Sequence, residues 1–375
     1  MATAENRTIF HTDVVGSLLR PPELLRARGK FRAGELDAAS FAAIENAAVD
    51  GALRLQEEAG LEVVTDGEMR RDIFFGFFVS GMSGLRYLPG SVVRFHNHEQ
   101  QVAMEVTIPF TVTEKLVARE CPGIAEFNYA KQKTNKLIKV TLPSPMMILG
   151  FWNNASRDAY PNPFELAMDA SAAVATWMKQ LAGAGCRYIQ IDAPELNEAY
   201  ADASVRADWE ARGIDPAEFI RLGTELVGSL GDVDLPGVRK GLHVCKGNGT
   251  QSWIAEGGYE DFSRSVFARV RGFDVFHLEY DDERSGSFEP LSNLPDGKFA
   301  VLGLVSTKWT RMETIEELKA RVHAAAKFHP LEQLGIATQC GFASAAETAE
   351  ARKITGEVQS AKLVRIVEAA RAIWG

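Results

Sequence analysis

A histidine and a cysteine stand two residues apart in the segment GLHVCKGNGT, residues 241–250. If this segment is a strand, His243 and Cys245 project from the same face, because side chains alternate sides along a strand. Glu279 in FHLEYDDE and Cys340 in QCGFAS belong to two further short apolar runs. One imidazole, two thiolates and one carboxylate form a ligand set that suits a tetrahedral zinc ion. We therefore predict that His243, Cys245, Glu279 and Cys340 form a Zn²⁺ site.

The spacing of these four residues also indicates the kind of zinc site. Structural zinc sites usually use closely spaced pairs such as CxxC, whereas these ligands come from three separate segments. A zinc ion with two thiolate ligands can bind a substrate thiol as its thiolate, lowering the thiol pKa from about 8.5 to below neutral. The expected chemistry is S-alkylation of a thiol. An alternative stays open, in which Cys245 and Cys340 are small buried side chains and Glu279 forms a salt bridge.

The elements that must position these residues alternate along the chain. Longer helical patterns lie near 40–60, 163–182, 258–271, 313–328 and 358–373. The strand-like apolar runs are 9–21, 61–68, 135–145, 187–196, 239–248, 274–283, 298–308 and 334–344. Eight such runs alternating with helices predict a (β/α)8 TIM barrel, with a doubly wound open sheet as the main alternative. We predict a single barrel domain over 1–375, with an inserted β-hairpin near 88–116 inside an insertion at 88–132.

Polar residues collect at the ends of other predicted strands. Gly16 and Ser17, Glu68, and Asp192 end three of these runs, and the predicted zinc ligands end three more. Because the carboxyl ends of barrel strands meet at one face, all of these side chains should converge there. Other interpretations stay open: Gly16–Ser17 as a simple turn, Glu68 paired with a nearby arginine, and Asp192 capping a following helix.

Composition limits the possible functions. The chain has 375 residues, of which 46% are hydrophobic and 24% charged, and its net charge is −9. The acidic balance argues against nucleic acid or an anionic membrane as partner. We expect a cytoplasmic protein because no run is long and apolar enough to span a bilayer and the N-terminus lacks a signal-peptide pattern. Four cysteines form no disulfide framework, and we assign Cys121, after a predicted helix, and Cys186, before a strand, to structural roles.

Seven segments in order resemble the catalytic half of cobalamin-independent methionine synthase: VVGSLLRP, VTDGEMRRD, IQIDAPEL, HVCKGN, FHLEYDDERSGSFEPL, VLGLVSTK and QCGFAS. The resemblance implies a (β/α)8 barrel and a zinc-dependent methyltransferase that converts homocysteine to methionine. It implies the same four zinc ligands that the residue types and spacing predict, which are His243, Cys245, Glu279 and Cys340. It also implies that Ser17, Glu68 and Asp192 bind homocysteine, and Gly16 would let the backbone approach the ligand closely.

The sequence departs from this family pattern after the seventh strand. The family has a histidine there that is suited to protonating a folate leaving group, whereas this chain reads Leu304-Val305-Ser306-Thr307-Lys308. The methyl donor therefore stays open between methyltetrahydrofolate, a methylcorrinoid held by a corrinoid protein, and another electrophile. Trp152 is a candidate to stack on a flat donor. Two other functions are alternatives: a thiol alkyltransferase of the epoxyalkane–coenzyme M type, and a non-catalytic zinc- or methionine-binding barrel.

Overall fold

The computed structural model describes residues 10–99, 102–344 and 353–375. Its centre is a parallel sheet of seven strands in the order β1-β6-β7-β8-β9-β10-β11. These strands are β1 (Val63–Val64), β6 (Leu137–Pro143), β7 (Tyr188–Asp192), β8 (Arg239–Val244), β9 (Val275–Glu279), β10 (Phe299–Val305) and β11 (Leu334–Thr338). Each lies inside a run that the sequence predicts as a strand, because near-continuous apolar residues suit a parallel sheet covered on both faces.

The first predicted strand closes the sheet without being a regular strand. Thr12 makes a single parallel bridge to Ile336 in β11. Farther along the same segment, the amide of Leu18 donates to the carbonyl of Gly67, just after β1, at 3.0 Å. This segment thus lies between the last and first strands of the sheet, in the eighth position of the predicted barrel. The (β/α)8 fold is confirmed, and this irregular segment takes the place of the eighth strand.

The helices surround the sheet: α1 (Pro22–Arg32), α2 (Ala38–Ala59), α3 (Phe77–Gly81), α4 (Gly123–Ala130), α5 (Pro163–Gly183), α6 (Pro194–Ala201), α7 (Ala203–Ala211), α8 (Pro216–Gly231), α9 (Glu260–Phe262), α10 (Ile315–Ala325) and α11 (Gly356–Trp374). Local signals set several starts: Asn162 and Asp215 each cap a helix that begins with proline. Such caps satisfy amide groups that have no partner inside the helix. Among the described helices, none combines the length and apolar character needed to cross a bilayer.

The predicted helix near 258–271 is wrong in its extent. Only Glu260–Phe262 is α-helical, and a wider turn of π type follows over Ser263–Phe267. Just after this turn the chain packs closely against α8, where a Cβ added to Gly228 would lie 2.8 Å from the Arg269 carbonyl oxygen.

The predicted inserted hairpin is present and is longer than expected. It is a two-stranded antiparallel arm in which β2 (Met82–Arg86) pairs with β5 (Thr111–Ala118), and β3 (Val92–Phe95) pairs with β4 (Met104–Thr107). Beyond β3, His96 and Trp253 exchange backbone hydrogen bonds of 2.7 and 3.0 Å. This bridge ties the arm to the loop after β8, so the arm lies across the barrel mouth.

A buried polar network fills the barrel interior. The carboxylate of Asp13 accepts hydrogen bonds from Lys139 at 2.9 Å and from the hydroxyl of Tyr188 at 2.9 Å. The ring of His277 lies 3.0 Å from the same hydroxyl. Burial, with the nearby charge of Lys139, lowers the pKa of His277 from 6.5 to about 4, although Asp13 opposes this shift. His277 is therefore neutral in the folded protein near neutral pH.

The neutral state of His277 predicts that this residue destabilises the fold in mild acid. Below pH 6.5 the unfolded chain protonates His277, whereas the folded chain does not do so until about pH 4. The contribution of His277 to the free energy of unfolding should therefore fall by on the order of 3 kcal/mol as pH drops from 6.5 to 4. Buried carboxyl groups with raised pKa values act in the opposite direction, so the effect is measured as a difference between variants, by denaturant unfolding of metal-free protein across this pH range. His277→Asn should gain stability relative to the wild type as pH falls, whereas His323→Gln, which replaces an exposed histidine, should follow the wild type; equal slopes in wild type and His277→Asn would contradict the assignment.

Candidate metal and substrate site

Three of the predicted zinc ligands meet at the carboxyl ends of two strands. His243 lies in β8, Cys245 follows that strand, and Cys340 follows β11. One ligand atom from each lies within 4.8 Å of the other two, and all three residues are buried. Neither ring nitrogen of His243 has a hydrogen-bond partner among the described residues. Buried polar atoms are normally paired, so an unpaired imidazole close to two sulfur atoms is suited to binding a metal ion.

The two thiols influence each other's ionisation. The neighbouring thiol of Cys245, together with the imidazole of His243, holds the pKa of Cys340 well below its ordinary range despite burial. The neighbouring Cys340 and burial raise the pKa of Cys245. One thiolate is thus already favoured without metal, and the thiolate is the form of cysteine that binds metals.

The structure places Glu279 beside this cluster and not within it. Its Oε1 accepts from Lys308 at 3.0 Å and from Arg284 at 3.2 Å, and its Oε2 accepts from the amide of Lys246 at 2.9 Å. Burial opposes ionisation, but Lys308, Lys246 and Arg284 lower the pKa of Glu279 to about 2. The carboxylate is thus held as an ion by cationic side chains. The predicted salt-bridge alternative describes this arrangement.

Glu68 reaches the cavity from a strained turn. Its backbone has φ of 54°, in the left-handed region that favours glycine. Its Oε1 accepts from the hydroxyl of Thr141 at 2.7 Å and lies 3.4 Å from Arg71, whereas its buried Oε2 has no partner in the described part of the chain. The predicted pairing of Glu68 with an arginine is thus present, but it involves only one of the two carboxylate oxygens. Asp66, which the sequence left unassigned, supports this turn by accepting from the Glu68 amide at 2.9 Å.

Ser17 and Gly16 have different positions. Ser17 lines the same cavity as Glu68, and its carbonyl accepts from the amide of Phe342 at 2.8 Å, which links it to the loop that carries Cys340. Gly16 does not line this cavity among the described residues. Its importance is steric, because a Cβ there would lie 2.6 Å from Oε1 of Glu68.

Asp192 ends β7 and lines the cavity two strands away from β1, whose following turn carries Glu68. Gln190 donates to its Oδ1 at 2.7 Å. The next helix, α6, has Ala193 at its N-cap and no side-chain cap, so the capping role considered for Asp192 is wrong. Burial raises the pKa of Asp192 to about 7, with His243 opposing this shift. A carboxyl group with such a pKa can be held charged by a cationic ligand.

One cavity of about 820 Å³ contains the metal cluster, Ser17, Glu68 and Asp192. It extends to the arm, whose residues Val92–His96 form part of its wall. Trp152 also lines it, with its Nε1 donating to the carbonyl of Tyr160 at 2.9 Å and the guanidinium of Arg157 4.8 Å from its ring centre. The cavity is far larger than an amino acid needs, so it has room for a second, mostly apolar reactant.

Sequence reasoning missed two glutamates of this cavity, Glu195 and Glu198 on α6. The available signal was a pair of acidic residues one helical turn apart directly after Asp192. Cys121 and Cys186 are buried away from the site, as expected. The predicted surroundings of Cys121 are wrong, because it follows β5 and precedes α4.

Comparison with known proteins agrees with this architecture. The family model for the catalytic domain of cobalamin-independent synthase matches residues 10–363. The Bacillus subtilis protein YxjH is 34% identical over 99% of this chain and 96% of its own length. A methionine synthase of Saccharolobus solfataricus is 25% identical over 95% of both chains. A solved structure from Listeria monocytogenes covers 98% of both chains with a TM-score of 0.72 and 26% identity. The chain belongs to the cobalamin-independent methionine synthase family and contains its catalytic domain.

Proposed function

We propose that this protein is a zinc-dependent methyltransferase that methylates the thiol of homocysteine to give methionine. The observation that carries the proposal is the cluster of His243, Cys245 and Cys340, with both imidazole nitrogens unpaired among the described residues, in one cavity with two buried carboxyl groups. The Saccharolobus relative named methionine synthase supports the same reaction. Four buried free cysteines fit a reducing cytoplasm as the place of action.

His243, Cys245 and Cys340 would hold the zinc ion. Three protein ligands leave an open position, as catalytic zinc sites do. When bound, the ion would lower the pKa of a substrate thiol and keep it as a thiolate near neutral pH. Glu279 stays a candidate fourth ligand, but it would have to exchange its contacts with Lys308 and Arg284 for the ion. Glu279 would thus be a weakly held fourth ligand that a substrate thiol can replace.

The carboxyl groups of Glu68 and Asp192 would bind the ammonium group of homocysteine. Oε2 of Glu68 is buried without a described partner, and Asp192 has a pKa raised to about 7 by burial. An ammonium ion between them would satisfy that oxygen and favour the ionised form of Asp192. Ser17 lies at the same wall and would contact the amino acid through its backbone or hydroxyl. These contacts would fix the thiol beside the metal ligands.

The acidic lining distinguishes homocysteine from the thiol of the alternative reaction. A sulfonate thiol such as coenzyme M would require cationic residues, yet the cavity places the carboxyl groups of Glu68 and Asp192 near the metal cluster. Two arginines line the cavity among the described residues, and both are engaged. Arg94 pairs with Glu105 and Asp208 at 3.0 and 3.1 Å. Arg212 donates to the backbone carbonyls of Leu149 and Trp152. An amino-acid thiol with a positive ammonium group therefore suits this cavity better.

Zinc content and its response to homocysteine test the proposal. We expect about one zinc ion per chain, and added homocysteine should increase the sulfur coordination seen by X-ray absorption. Product analysis should find methionine after incubation with homocysteine and a methyl donor. Coenzyme M at the same concentration is the matched control and should leave the spectrum unchanged. A zinc-loaded protein whose spectrum ignores homocysteine would contradict the proposed substrate.

A further inference from the structure

Two buried glutamates of the cavity have no role in the function described above. Glu195 and Glu198 are 4% and 6% exposed. Oε2 of Glu195 and Oε1 of Glu198 have no hydrogen-bond partner among the described residues. A desolvated carboxylate without a partner costs several kcal/mol, so each group avoids this cost by staying protonated. Uncharged carboxylic acids in a reaction cavity are proton donors.

The proton of Glu195 has a defined position. The hydroxyl of Ser144 donates to Oε1 of Glu195. This leaves Oε2, the oxygen without a described partner, to carry the proton. Burial raises the pKa of Glu195 to about 8, with the charge of Asp192 adding to the shift and the Ser144 bond opposing it. Glu198, one turn along the helix, has a pKa raised well above the ordinary range by burial and by Glu195, so it stays neutral.

The three residues after β10, where the family has a histidine suited to protonating the leaving group, are hydrogen-bonded to other side chains and do not face the cavity. Ser306 donates to Asp281 at 2.7 Å, Thr307 donates to Gln339 at 2.9 Å, and Lys308 donates to Glu279 at 3.0 Å. Among the described residues that line the cavity, none of these three is present. An acid that protonates an amine leaving group would have to come from another wall of the cavity, and α6 places two buried carboxyl groups there.

We propose that Glu195 is the general acid that protonates the leaving nitrogen of an N-methyl donor. This inference rests on the proposed methyltransferase function and names the donor as a tertiary amine of the N5-methyltetrahydrofolate kind. The sulfur of the thiol forms a bond to the methyl carbon, the C–N bond breaks, and its electron pair stays on nitrogen. That nitrogen takes the proton from Oε2 of Glu195. The thiol has lost one proton and the amine gains one, so returning one proton to Glu195 completes the cycle.

The variant Glu195→Gln tests the assignment, because the amide can still accept from Ser144 but cannot give up a proton. With methyltetrahydrofolate and homocysteine, single-turnover methyl transfer should fall at least about 100-fold. Alkylation of homocysteine by iodomethane on the same protein should keep the wild-type rate, because iodide leaves without a proton. Glu62→Gln, an exposed position in the chain segment before β1, is the matched control and should keep both rates.

The outcomes separate this inference from the proposed function. Equal losses with both donors, or no loss with either, would overturn the role of Glu195. A wild-type protein that accelerates neither reaction would overturn the methyltransferase function itself. Two wild-type measurements do not depend on the variant's folding. The rate with methyltetrahydrofolate should fall as pH rises through about 8 while the iodomethane rate does not. Over the same range the infrared carbonyl absorption of protonated carboxylic acids should lose one band, that of Glu195, while the band of Glu198 remains. A flat profile or an unchanged carbonyl absorption would overturn the proposal.

Discussion

Cys340→Ser should lose most of its bound zinc and more than about 100-fold of its methyl-transfer rate. Changing a residue that only supports a metal ligand typically costs 10–100-fold, so removing a ligand should cost more. The expected loss is large here because Cys340 is the thiol whose pKa is held low by Cys245 and His243. Serine keeps the volume but is not ionised near neutral pH. Metal analysis after dialysis and a single-turnover assay measure the two effects.

Cys186→Ser is the matched control for this experiment. Cys186 is equally a buried free thiol, but it lies just before β7 and its Sγ contacts the carbonyl of Tyr188 at 3.2 Å. Serine can keep that contact as a hydrogen bond, so zinc content and activity should stay at wild-type levels. Full zinc retention in Cys340→Ser would mean that other residues hold the ion.

The sequence was sufficient to predict that the ends of particular strands bring His243, Cys245 and Cys340 together. His243, Cys245 and Cys340 could be found because each lies at the end of a short apolar run, and parallel strands in a barrel bring such ends to one face. The alternation of strand-like and helical patterns was enough to predict the fold. The position of the irregular segment around Thr12 was also predicted correctly. Its apolar residues Val14 and Leu18 are buried in the core, although the segment makes only a single strand bridge among the described residues.

The contacts of Glu279 could not be predicted in this way. They join Lys246, Arg284 and Lys308, which come from the loops after three different strands. Which cationic side chain contacts which carboxylate depends on the conformations of these loops, and no local sequence pattern predicts those conformations. Glu195 and Glu198 were missed for a related reason. Acidic residues one turn apart normally mark an exposed helix face, but α6 packs between the barrel mouth and α8 and is buried over most of its length.

Lys308→Met should lower the free energy of unfolding by about 3–5 kcal/mol. The ammonium group of Lys308 is 0% exposed and lies 3.0 Å from Glu279 and 3.2 Å from Asp281. Methionine has a similar volume, so the main change is the loss of a buried charge that balances two carboxylates. Breaking a buried ion pair by removing one partner is costly because the remaining charge loses compensation. Glu279 keeps Arg284 at 3.2 Å, but Asp281 loses its nearer cation and keeps Arg284 only at 3.8 Å. Denaturant unfolding at neutral pH measures the loss.

The effect should depend on pH in a direction that identifies its cause. The pKa of Glu279 is lowered from 4.5 to about 2, so its ion pairs stabilise the fold above pH 4.5 and are lost as pH falls towards 2. Protonation of the carboxyl groups should then reduce the difference between Lys308→Met and the wild type in acid. Lys115→Met removes a lysine of an exposed pair with Glu165 and should cost less than about 1 kcal/mol at any pH. A large loss in Lys308→Met that stayed constant down to pH 2 would point to packing and not to the charge, because a packing defect does not titrate.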